Sequence, residues 1–172
     1  QARKVLNSMA ALALKNFKRS LTLFNEYSEK KFAKVERDEN LIDRFETAIE
    51  NYLLKISSTD INDTTNELVM EMLHSVSDIE RISDHCMNIA EVARKNAEDG
   101  IVFSDFGKKE LSIIGNAVTE ILTMATEAYS KRSLEEALRI EPLEQVIDNI
   151  NFAIKDCHVK RLCDGLCSVE GG

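Results

Sequence analysis

Tryptophan is absent from this chain, proline occurs once, and glycine only six times. With aromatics at 6%, there is no platform on which nucleic-acid bases could stack. So few turn-makers over 172 residues exclude a fold of many short strands and favour long helices. No apolar run approaches the roughly 20 residues needed to span a bilayer. A Gly-rich phosphate loop, a Ser-centred elbow and a nucleophilic Cys/His signature are all missing, so an enzyme is not expected. Charge of one sign is also in deficit: the net charge of −8 disfavours a duplex or an anionic membrane surface, and no nucleic-acid partner is expected. Cations or basic protein segments suit it better.

Cys86, Cys157, Cys163 and Cys167 form no disulfide framework. Without such a framework or a signal peptide, a reducing cytoplasm is the expected compartment. Cys157, His158, Cys163 and Cys167 suggest soft-metal binding, but the spacing Cys-x5-Cys-x3-Cys fits no common zinc pattern. The chain opens on Gln1 and stops at Gly171-Gly172, which reads as a piece of something larger.

What is present is helical periodicity. Val5, Met9, Leu12, Ala13, Phe17, Leu21 and Phe24 recur at three and four, predicting one helix from about Ala2 to Val35. The charges of Glu29 to Asn40 suggest a break. A second helix is expected over Glu39 to Ser57, with Leu41, Ile42, Phe45, Ala48, Ile49, Tyr52, Leu53 and Ile56 on its buried side. Thr64-x-x-Glu67 reads as a capping box for a third, which carries Val69, Met72, Leu73, Val76, Ile79, Cys86, Ile89 and Ala93 to a stop at Gly100. Ser104 or Asp105 caps a fourth helix through about Arg139, and Pro142 lies in the first turn of a fifth that reaches Leu162. The fold class is all-α, in bundles of long helices.

Aligning Glu36–Ile49 with Glu141–Ile154, an offset of 105, gives six identities in fourteen positions. The fourth helix then repeats the first, and the fifth repeats the second. A counterpart of Glu80 would fall near position 185, beyond this chain. Residues 1–101 are therefore expected to form one three-helix repeat, and 102–172 a second that lacks its third helix. Apolar surface left uncovered there should drive self-association.

Residues one helical turn apart share a face. Glu39, Asp43, Glu46 and Glu50 thus make an acidic ridge on the second helix, and Glu80, Asp84 and Glu91 another on the third. Such ridges either stay solvated or meet around a cation, and hard oxygen donors suit Mg²⁺, Ca²⁺, Mn²⁺ or non-haem iron. Di-iron oxygenases carry two Glu-x-x-His pairs, and only one such spacing occurs here, Glu71-x-x-His74, which weighs against redox catalysis. His74, Asp78, Arg81 and His85 share a face and read as a polar network.

Asp78-Ile-Glu-Arg-Ile-Ser-Asp-His-Cys-Met-Asn-Ile-Ala-Glu91 resembles the signature helix of the PhoU family, and Glu39-Asn-Leu-Ile-Asp43 and Glu144-Gln-Val-Ile-Asp148 resemble its partner motifs. The resemblance implies two tandem three-helix bundles of long antiparallel helices, the second incomplete here. It also implies a role in phosphate uptake or its control. Multinuclear clusters of iron, zinc or nickel are implied too, with Glu39, Asp43, Glu80 and Asp84 as ligands of one and Glu144 and Asp148 as half of a second. More narrowly, Glu141–Asp148, His158–Leu162 and Cys167–Gly172 are similar to the cytoplasmic C-terminal domain of bacterial sodium/phosphate cotransporters. That implies an inner-membrane transporter portion upstream as partner. A free-standing PhoU-type regulator of an ABC phosphate transporter and its sensor kinase is the alternative. A metal-dependent hydrolase is a third reading.

Overall fold

Six helices account for nearly all of the computed structural model, which describes residues 1–167. They are α1 (Ala2–Thr22), α2 (Glu29–Ser57), α3 (Asp63–Glu98), α4 (Asp105–Lys131), α5 (Leu134–Ala137) and α6 (Ile140–Cys163). No strand occurs among the described residues, and no helix is long and apolar enough to cross a membrane. The Ser-Val-Glu-Gly-Gly172 stretch after Cys167, part of the cotransporter resemblance, lies outside the described residues. The chain forms two compact units, one spanning Gln1–Arg94 and the other opening at Lys95.

In the first unit three apolar stripes meet. Leu6, Met9, Ala13 and Phe17 come from α1; Phe32, Val35, Ile42, Ile49 and Leu53 from α2; Val69, Met72, Val76, Ile79, Cys86 and Ala90 from α3. Their spacing of three and four is what places each set on one side of its helix.

The first connection differs from the expected one. α1 ends at Thr22 and α2 starts at Glu29, so the charged run 29–40 is helix and not a break. The stripe continues through that run as Phe32, Val35 and Asp38, with a carboxylate in an apolar slot. Asp38 is only 4% exposed and is tied to Arg19 of α1 and to Arg37 beside it. Buried Asn16 donates from Nδ2 to the Val35 carbonyl at 3.0 Å, a second polar tie between α1 and α2. Burial alone would raise the Asp38 carboxyl, but hydrogen bonds and charge from Arg19 and Arg37 outweigh it and hold it below its ordinary value.

The α3 cap also sits elsewhere than expected. Asn62, not Thr64, receives the Thr65 amide on its side-chain oxygen at 2.9 Å, two residues ahead of the capping-box reading. At the other end Gly100 takes φ +67°, and the Ile101 amide reaches back to the Asn96 carbonyl at 2.9 Å. That left-handed closure is the helix stop the sequence announced.

The second unit pairs α4 with α6. Ser104 caps α4, accepting the Gly107 amide on Oγ at 3.1 Å. Unlike the expected run to Arg139, α4 ends at Lys131, with Arg132 in the left-handed region at φ 56°. Shifted by 105, α2 maps onto 134–162, the span that α5 and α6 fill together. The repeat is broken at 138–139 because Pro142 stands where α2 has Arg37. Proline lacks the amide that would bond the carbonyl of residue 138, and its ring crowds that carbonyl.

Candidate metal centre

α2 and α3 are each held by an apolar stripe, and the edges of those stripes carry the acids. Oxygens of Glu39, Asp43 and Asp84 lie within 4.8 Å of one another, and so do those of Asp43, Glu46 and Glu80. Asp43 belongs to both groups. Glu39, Glu46 and Glu80 are half-buried, while Asp43 and Asp84 are exposed. The first-bundle candidates Glu39, Asp43, Glu80 and Asp84 are therefore brought together. Glu46 joins them; its place on the α2 ridge was visible in the sequence, although its position lies outside the Glu-x-x-x-Asp motif.

The electrostatics register the crowding. Burial pushes the Glu80 carboxyl up to about 7, helped by a hydrogen bond to Asp84 and by the charges of Asp84, Glu46 and Asp43. Glu39 is raised by burial and then by Asp43, Asp84 and Glu36. Glu46 is raised by burial and then by Glu50, Asp43 and Asp84. None of the five makes a salt bridge among the described residues. An acidic centre of this kind holds a proton between Glu80 and Asp84, or it takes a cation.

Glu144 and Asp148 are treated differently. Both are exposed on α6, and among the described residues no third acid, His or Cys closes a ligand group around them. His74, Asp78, Arg81 and His85 all lie exposed along α3.

Sequence reasoning weighed Cys157, His158, Cys163 and Cys167 only as a soft-metal set, and missed the polar cluster that His158 and Cys167 form in the second unit with Glu110 and Arg161. Arg161 donates to both carboxylate oxygens of Glu110, one at 2.7 Å, and Cys167 Sγ lies 3.7 Å from His158 Nδ1. The internal repeat held the signal. Glu110, His158 and Arg161 occupy the positions of Val5, Leu53 and Ile56.

A model of the PhoU domain matches residues 6–93, just over half of the chain. This chain belongs to the PhoU family. It is similar to the phosphate-specific transport system accessory protein PhoU homolog 1 of Thermotoga maritima, at 26% identity over 178 residues, covering 90% of this chain and 76% of that one. Its fold is that of the PhoU crystal structure from Pseudomonas aeruginosa, with a TM-score of 0.85 at 21% identity, covering 95% of this chain and 78% of that one.

Proposed function

We propose that this protein is a regulatory accessory component of a phosphate-transport system, and that its first bundle holds metal ions on the α2–α3 carboxylates. The Thermotoga maritima relative is named as an accessory protein of phosphate-specific transport, which supports the regulator reading over the cotransporter-domain reading. The observation that carries the metal assignment is the convergence of five carboxylates without a basic partner. All-oxygen donors at this spacing fit a hard or borderline cation such as Mg²⁺, Ca²⁺, iron, zinc or nickel.

Glu39, Asp43 and Asp84 would hold one ion, and Asp43, Glu46 and Glu80 another. A bound ion supplies the positive charge that this acidic seam lacks. The chain's own contribution is positional: the buried stripes of α2 and α3 fix where the acids stand. A bridged seam locks those helices into a firm face for a transporter or its regulator, on the cytoplasmic side. The role is regulatory, in keeping with the accessory role named for the Thermotoga maritima relative. Exposed Phe106, Phe152 and Val159 in the second unit support self-association.

Elemental analysis of the purified protein tests the centre. Metal should be found at stoichiometric level, and Asp43→Asn/Asp84→Asn should lose most of it; unchanged content would sink the assignment. Deleting the gene should alter phosphate uptake, and unaltered uptake would count against the regulatory half. Turnover of a phosphoester by the metal-loaded protein, lost in Glu80→Gln, would instead favour a hydrolase.

A further inference from the structure

The second unit contains a cavity of about 400 Å³ at the α4–α6 junction, remote in sequence from the acidic cluster. Its walls are largely apolar, from Val102, Phe103, Leu111, Ile114, Ile154 and Leu166. Into the same space come Glu110, His158, Arg161 and Cys167. The internal repeat makes this polar set conspicuous. In the first unit the position equivalent to His158 is Leu53, which is fully buried. Exchanging apolar groups for an ion pair at such a layer does not strengthen a bundle, because desolvating two charges offsets their attraction. Packing alone therefore gives no reason for the set to be there.

Its chemistry does. Cys167 Sγ stands 3.7 Å from His158 Nδ1 and is half-exposed, open to a small reagent. Arg161 is fixed by Glu110, and its Nε is buried without a partner. The Glu110 hydrogen bond favours the guanidinium's charge against burial, and Arg161 lines the same cavity as Cys167. A half-exposed thiol beside an imidazole and a guanidinium is the setting in which cysteines react. Cys86 is the opposite case: it is wholly buried, and burial pushes its thiol up to about 12.

We propose that Cys167, with His158 as its base, is an oxidation site for small apolar hydroperoxides admitted to this cavity. His158 Nδ1 takes the thiol proton as sulfur attacks the terminal peroxide oxygen. A sulfur–oxygen bond forms and the oxygen–oxygen bond breaks. The imidazolium returns its proton to the departing alkoxide, which leaves as an alcohol. Sulfur is oxidised by two electrons to the sulfenic acid, and the hydroperoxide is reduced by the same two.

The test treats the whole protein with cumene hydroperoxide near pH 7 and traps sulfenic acid with dimedone, scoring each cysteine by peptide mass spectrometry. Cys167 should be trapped about tenfold faster than the exposed Cys157 and Cys163. In His158→Gln that advantage should vanish, while the helical circular-dichroism signal and its thermal midpoint match wild type and so report that the fold is intact. Equal trapping at the three cysteines overturns the proposal. An advantage of Cys167 that survives His158→Gln overturns it as well.

Discussion

The two units start from one pattern and end with different interiors. In the first, α1 and α2 give their apolar stripes to α3, and large side chains such as Leu6, Met9, Ile42 and Leu53 are fully buried. In the second, α4 buries only Gly115 and Ala128 among the described residues, and α6 buries none. Two helices share one seam and leave the rest of each stripe facing outward, whereas a third closes the gap between them. The comparison teaches that periodicity decides where a helix forms, and that the number of partners decides how much of it is core.

The widest separation between the units should come from core truncation. Leu53→Ala should destabilise the first unit by about 2–5 kcal/mol, since the site cannot fully collapse. Phe152, 75% exposed, is its counterweight. Phe152→Glu should leave urea unfolding within about 0.5 kcal/mol and reduce concentration-dependent association in sedimentation runs. A large loss of stability in that variant would show that the second unit has a core after all.

Next in size is the tie between α1 and α2. Arg19→Ala leaves Asp38 buried with Arg37 alone and should cost about 1.5–3 kcal/mol. Because the folded Asp38 carboxyl sits below its ordinary value, its contribution is present above the unfolded value near 3.8 and is lost as pH falls through the folded one. Acid titrations of wild type and Arg19→Ala should converge at low pH. Parallel curves would remove the pair from the stability account.

The smallest effect belongs to the acidic seam and has the opposite sign. Glu80 rises from 4.5 to about 7, so between those values the folded chain keeps a proton that the unfolded chain has released. Metal-free protein should therefore lose stability as pH climbs through that window. The thermal midpoint, measured at pH 5 and pH 7.5, should fall, and Asp84→Asn should flatten the slope. A midpoint that rises over this range would contradict the crowding of the site.

Much of this was legible in the residues. Helical class, the α3 stripe, the Ser104 cap and the Gly100 stop follow from local chemistry, which acts within one or two turns; the α1 stripe was legible only in part, since Leu6 and Leu23 are sealed where Val5 and Phe24 were expected. The start of α2 was not legible, because Asp38 fills an apolar slot and its justification, Arg19, lies 19 residues away. The split of α5 from α6 turns on Pro142, and a proline in an apolar-periodic run fits a first turn as readily as an interruption. For the site, spacing identified the two acidic ridges but not which of their members face each other. Glu46 meets Glu80 only through the pairing of α2 with α3, which is a tertiary fact.

Cys86 gives the first unit a clock of its own. It sits in the α3 stripe between Asp84 and Ala90, sealed among the packed helices. No reagent in solution can reach that sulfur while α3 lies flat, so each labelling event records one occasion on which the helix lifted. Counted over hours under native conditions, those events give the opening frequency of the very helix that carries half of the acidic seam. Anything that clasps the seam shut slows the clock.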